Sequence, residues 1–75
     1  MKNEHKTFGG RLRSRRLELK MTQGDLAKAL HSYTANVHRW EHNKSDVKLS
    51  TVQRMASALS CTVAWLAFGV GDPVA

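Results

Sequence analysis

The stretch MTQGDLAKALHSYTANVHRWE, Met21 to Glu41, decides the fold. Thr22 stands where a helix N-cap belongs, and Asp25 three residues on completes an acidic capping box, with Gln23 and Gly24 in the first turn. Leu26, Ala27 and Leu30 then fall on one side of a 3.6-residue period. A helix of roughly nine residues is marginal alone and must be stabilised by packing. His31, Ser32 and Tyr33 break it. A second short helix is predicted from Thr34 to Glu41, with Val37 and Trp40 three apart and facing the core, and Thr34, Ala35, His38 and Arg39 facing outward. Ala27 is small enough to sit where the two helices cross. The second helix therefore projects its polar side, and an exposed helix bearing Arg, His and Thr fits a groove about 12 Å wide, the width of the major groove of DNA.

Working outward, a preceding helix starts near Phe8 or Gly9 with Thr7 as its cap. Phe8, Leu12 and Leu19 make its apolar stripe, while Arg11, Arg13 and Lys20 lie outside it. Leu17 points nearly opposite Phe8. Arg15 and Arg16 sit beside the stripe, an unusual place for charges. On the other side, His42 to Asp46 form a polar loop. A fourth helix is expected from Ser50, with Gln53 completing a capping box and Val52, Met55, Ala56 and Leu59 facing inward. A short fifth helix follows Thr62, carries Val63, Trp65, Leu66 and Phe68, and stops at Gly69. β-branched residues do not alternate, which argues against strands. The expectation is an all-α domain of five short helices spanning 1–75, with a flexible arm over 1–7 and a tail over 70–75.

Charge narrows the partner. Twelve Lys/Arg stand against six Asp/Glu, a net charge of +6 and a pI near 10.1. Eleven of the twelve basic residues lie between Lys2 and Lys48, and beyond Lys48 only Arg54 and Asp72 are charged. One part of the chain carries a positive field and the rest is nearly neutral, which fits a polyanion such as nucleic acid. The single cysteine, Cys61, allows no intrachain disulfide and no thiolate metal knuckle. It reads as a buried small residue between the fourth and fifth helices, without an ordered His/Asp partner that would make it a nucleophile. His38 and His42 are four apart on a helix, but no third ligand of suitable type is placed nearby except His31 across the turn, so no metal is expected. No carboxylate pair, triad or phosphate loop points to an enzyme. The N-terminal MKNEHKTFGG lacks the apolar stretch of a signal peptide, and no run reaches the roughly 20 apolar residues of a membrane span, so a cytoplasmic protein is expected.

With these residues in place, the chain resembles the phage repressor and Cro-type helix-turn-helix family, also called the XRE family. The pieces that carry the resemblance are RLRSRR (Arg11–Arg16), MTQGDLA (Met21–Ala27), VHRWEHNK (Val37–Lys44) and ASALSCTVAWLAFG (Ala56–Gly69). It extends over about residues 8 to 69. The resemblance implies a repressor-like five-helix domain whose second and third helices form the helix-turn-helix. It implies a sequence-specific regulator of transcription that binds double-stranded DNA, with no cofactor and no small-molecule ligand.

The resemblance also implies roles residue by residue. Base readout falls to Thr34, Ala35, His38 and Arg39. Contacts with the DNA backbone fall to Gln23, Tyr33, Asn36, Asn43, Lys44 and Lys48. Arg16 and Glu41 match a buried ion pair between the first and third helices, which would account for an arginine beside the apolar stripe. The chain departs from the family at the turn. His31 stands where glycine is usual, Ser32 where a small apolar residue is usual, and Tyr33 where a Ser/Thr cap is usual. If Ser32 caps instead, the third helix starts one residue early, and which of Tyr33, Thr34 and Ala35 points at the bases changes. Asn43 replaces another common glycine. One module reading 4–5 base pairs cannot select a genomic site, so a homodimer on a palindromic operator is expected. The neutral segment from Leu49 to Ala75 offers the seam, with Phe68, Val70 and Val74 as its residues. Two other readings stay open: an antitoxin or restriction-modification controller acting on its own operon, and a protein-interaction module on the same fold.

Overall fold

Five helices form where local signals place them, with one exception. In the computed structural model, which describes residues 5–74, they are α1 (Phe8–Glu18), α2 (Gln23–Ala29), α3 (Thr34–Glu41), α4 (Leu49–Ala58) and α5 (Val63–Phe68). Three threonines cap by the expected chemistry. Thr7 Oγ1 accepts from the Gly10 amide, Thr62 Oγ1 from the Trp65 amide, and Thr22 Oγ1 from the Asp25 amide. Asp25 returns the bond by accepting from the Thr22 amide at 2.9 Å. That bond, and then the Thr22 hydroxyl, hold the Asp25 carboxyl below the usual carboxylate range. The box therefore contributes above that range and is lost as pH falls below it, through the lowered pKa of Asp25.

The exception is α4. It begins at Leu49 with Lys48 as N-cap and no side-chain cap, so the expected Ser50/Gln53 box does not form. The Lys48 carbonyl accepts from the amides of Thr51 and Val52, which starts the helix before Ser50 could cap it.

All five helices end through the left-handed region. Positive φ falls at the second residue after α1 to α4, at Lys20 (59°), His31 (54°), Asn43 (57°) and Ser60 (52°), and directly after α5 at Gly69 (70°). Only Gly69 adopts this left-handed conformation without a Cβ penalty. His31 is exposed there and its amide bonds only the Lys28 carbonyl. His31→Gly is therefore expected to stabilise the fold by about 0.5–1 kcal/mol in urea unfolding. A loss of stability would show that the imidazole contributes something the backbone does not reveal.

The core is built from Leu12, Leu26, Leu30, Val37, Met55, Leu59 and Leu66, each 0–3% exposed, with Trp65 at 5%. Helix α2 packs on α3, α1 on both α3 and α5, and α4 on α5. Two expectations for α1 change. Leu19 lies past the helix end and is exposed, because α1 stops at Glu18. Arg11, expected outside the stripe, is buried. Its Nε donates to the Leu66 carbonyl and its Nη2 to that of Ala67, at the end of α5, and its Nη1 to the His5 carbonyl. Burial draws the Arg11 guanidinium below its ordinary pKa. Arg15 treats the end of α4 the same way, donating to Leu59 and Ser60 carbonyls, which accounts for its place beside the stripe. Arg54 donates to the Leu30 carbonyl at the end of α2. Helix C-termini carry unsatisfied carbonyls and partial negative charge, so arginine is the fitting partner.

Of the arm expected over 1–7, residues 1–4 lie outside the described residues. His5 sits edge-on to Trp65 and bonds Ser14. In the tail, the Pro73 carbonyl accepts from the Thr62 amide, and Ala75 lies outside the described residues.

Candidate nucleic-acid interface

The position of α3 is set from behind. Val37 is fully buried and Trp40 half-buried against the core. Ala27, 3% exposed, lies on the buried side of α2, and the Gly24 position comes near the Thr34 hydroxyl. At the far end, Arg16 Nε and Nη2 donate to the two Glu41 oxygens at 2.6 and 3.1 Å, and Arg16 Nη1 donates to the Met21 carbonyl. Gln23 Nε2 donates to the same carboxylate at 3.1 Å. Glu41 thus joins α1, α2 and α3. Gly9 of α1 is pressed against the last turn of α3: a Cβ there would lie 2.6 Å from the Trp40 carbonyl oxygen and closer still to that of Glu41.

The opposite face of α3 is open. Thr34, Ala35, His38 and Arg39 are all exposed, and Tyr33, at the N-cap, is 77% exposed. Ser32 does not cap. Tyr33 takes the N-cap backbone conformation without a side-chain bond, and α3 starts at Thr34. The Ser32 hydroxyl instead accepts from Asn36 Nδ2 at 2.9 Å, and Asn36 Oδ1 accepts from Arg39 Nη2 at 2.8 Å. The rings of His38 and His42 stack with centroids 4.1 Å apart, and His42 Nδ1 donates to the His38 carbonyl. Among the described residues no group of three or more His, Cys, Asp or Glu could hold a metal ion.

Of the residues expected on the DNA backbone, Lys44 and Lys48 are exposed beside the end of α3 and the start of α4. Asn43 is turned inward to α1, accepting from the Gly9 amide at 2.9 Å and donating to Thr7 Oγ1 at 3.2 Å. Phe68, Val70 and Val74 are 60–73% exposed. Phe68 and the exposed Leu49 border a shallow groove floored by Phe8, Val52 and Ala67. Cys61 is half-buried, and burial pushes its thiol pKa up, away from reactivity. Among the described residues no helix is long and apolar enough to cross a membrane. Sequence reasoning missed the hydrogen bonds that Asn36 makes to Ser32 and Arg39 and the close approach of α3 to Gly9. The spacing of Asn36, four from Ser32 and three from Arg39, was the available signal for the first.

The geometry has counterparts among known proteins. The helix-turn-helix family model matches residues 12–66. The HTH-type transcriptional regulator DicA of Escherichia coli (strain K12) is 36% identical over 72 residues, covering 96% of this chain and 53% of DicA, so the chain spans about half the length of that relative. Among solved structures, the P22 c2 repressor in complex with a synthetic operator superposes with a TM-score of 0.80 at 26% identity, over 85% of this chain and 97% of that one. The solution structure of the DNA-binding domain of the same repressor gives 0.78 at 26% identity, over 83% and 82% of the two chains. A hypothetical transcription factor from Neisseria, NHTF, shares the fold with a TM-score of 0.77 at 23% identity, over 81% and 70% of the two chains. The buried ion pair behind α3, the open polar face in front of it and the match over most of the chain agree: this chain belongs to the helix-turn-helix family of the phage repressor and Cro (XRE) type.

Proposed function

We propose that the chain is a sequence-specific regulator of transcription that binds double-stranded DNA as a Cro/repressor-like homodimer, laying α3 in the major groove of each half of a palindromic operator. The observation that carries this reading is the two-sidedness of α3: Val37 and Glu41 are buried, while Thr34, Ala35, His38 and Arg39 form one exposed face. The solved P22 c2 repressor, similar over 85% of this chain, is in complex with an operator. Arg39 is the principal reader, because a guanidinium can donate two bonds to guanine O6 and N7. The Ala35 methyl suits a thymine methyl, and Thr34 and His38 complete the face. Gln23, Tyr33, Lys44 and Lys48 supply the phosphate contacts, joined by any donor that Asn43 has left over from α1. Such a regulator works in the cytoplasm, at the nucleoid.

The direct test is selection of sites from random duplex DNA by the purified protein. A two-fold symmetric site is expected, with affinity that falls steeply as salt rises. Binding that ignores salt, or no enrichment, would point to a protein-interaction module. Arg39→Ala is expected to lose about 1–3 kcal/mol of discrimination at one base of each half-site, whereas Lys44→Ala should weaken all sequences equally and reduce the salt slope by about one. At the proposed seam, Phe68→Asp should leave the fold intact, since the side chain is 73% exposed. It should also abolish cooperative occupancy of two half-sites while sparing the single half-site. Unchanged sedimentation and unchanged cooperativity would place the seam elsewhere.

A further inference from the structure

We propose that Asn36 aims Arg39, and is thereby a specificity-determining residue of the reading face whose own orientation is set by Ser32. The inference rests on the reading of α3 as the element that enters DNA.

Hydrogen-bond chemistry fixes the direction of the chain of contacts. A guanidinium only donates, so the carbonyl end of the Asn36 amide must face Arg39. The amide nitrogen then faces the other way, along the helix toward the turn, where Ser32 Oγ accepts it at 2.9 Å. Asn36 and Ser32 are both half-buried, whereas Arg39 is exposed. The less mobile pair therefore holds the more mobile side chain. Ser32 is free for this work because Tyr33 takes the N-cap position and needs no hydroxyl from its neighbour. The bond at 2.8 Å uses one of the five guanidinium N–H groups. Four remain, enough for a paired contact with guanine O6 and N7.

An exposed arginine otherwise samples many rotamers, and ordering it on a base opposes binding. An arginine already pointed outward by Asn36 loses less freedom when it meets the right base, and cannot swing as readily to accept a wrong one. The serine that departs from the family's turn and the asparagine one turn later are thus parts of one device.

The test compares site selection by the wild type, Arg39→Ala, Asn36→Ala, Ser32→Ala and the Asn36/Arg39 double variant. Alanine favours helix at position 36, and circular dichroism checks that each variant folds. Arg39→Ala should flatten one base column of the half-site. Asn36→Ala should blunt that same column by about three- to tenfold, and should add nothing in the Arg39→Ala background. Its affinity for mixed-sequence duplex should stay within about twofold of wild type. Ser32→Ala should blunt the column less. A sharp column in Asn36→Ala overturns the proposal. So does blunting of a different column, which would make Asn36 a base contact, or equal weakening on every duplex, which would make it a phosphate contact. Undiminished discrimination by Ser32→Ala removes the hydroxyl from the device. If Arg39→Ala flattens no column, the DNA reading of Arg39 fails, and the aiming is judged in the free protein. There, ¹⁵N relaxation of Arg39 Nε should show a more mobile side chain in Asn36→Ala, and unchanged mobility overturns it.

Discussion

Glu41→Ala is expected to destabilise the domain by about 3–5 kcal/mol, enough to unfold much of it at room temperature. The reason lies in what the substitution strands. The Glu41 side chain is 0% exposed and that of Arg16 7%, and the carboxylate is the acceptor for two guanidinium nitrogens and for Gln23. Removing it leaves a buried cation with only the Met21 carbonyl as partner. A small domain holds a few kcal/mol in total, so the loss of one such group is comparable with the whole stability. Urea unfolding followed by tryptophan fluorescence reads the effect directly. The paired replacement Arg16→Met with Glu41→Leu should cost less than either single alanine, because no charge is left uncompensated. A change below about 1 kcal/mol for Glu41→Ala would mean that water reaches Arg16 and satisfies it.

Gly9→Ala is expected to cost about 3 kcal/mol, lowering the melting temperature by roughly 15 °C. In an ordinary helix the same change is favourable by up to about 1 kcal/mol. Here the new methyl would sit 2.6 Å from the Trp40 oxygen and 2.7 Å from the Glu41 carbonyl carbon. These are backbone atoms in the last turn of α3, so no side chain can swing aside. Relief requires α1 and α3 to move apart, which loosens the Arg16–Glu41 pair as well. Gly24→Ala is the control. Its nearest neighbours, the hydroxyls of Thr22 and Thr34, would lie at 3.7 Å, an ordinary contact. Thermal melts should separate the two glycines sharply, and similar melting temperatures would refute the close-approach account.

The contrast between what the sequence revealed and what it hid follows the range of the interactions. Thr7, Thr22 and Thr62 announce helix starts because each bonds an amide three residues on. The bounds of α3, Thr34 to Glu41, are legible from Val37 and Trp40 for the same reason. Ser50 misleads because it carries the right residue type, yet the Lys48 carbonyl starts α4 first. The burial of Arg11 could not be read: two of its three partners, Leu66 and Ala67, are 55 and 56 residues away. Gly9 looks like an indifferent helix residue until α3 is laid across it. On α3, Thr34, Ala35, His38 and Arg39 are legible as an outward, exposed stripe by period alone. The bonds among Ser32, Asn36 and Arg39 are local but depend on which residue caps α3, and the unusual turn left that open.

The arginines at the helix ends bear on how the molecule opens. Helix α1 supplies Arg11 to the end of α5, Arg15 to the end of α4 and Arg16 to α3, while α4 supplies Arg54 to the end of α2. Every other helix is thus fastened by a side chain rooted in α1 or in α4, which α1 itself fastens. No helix can fray from the assembly without freeing a carbonyl or a charge on a second one. Amide hydrogens throughout the five helices should therefore exchange through one shared global opening rather than through separate local ones. The exposed face of α3 stays rigid through that shared fastening, despite helices too short to persist alone.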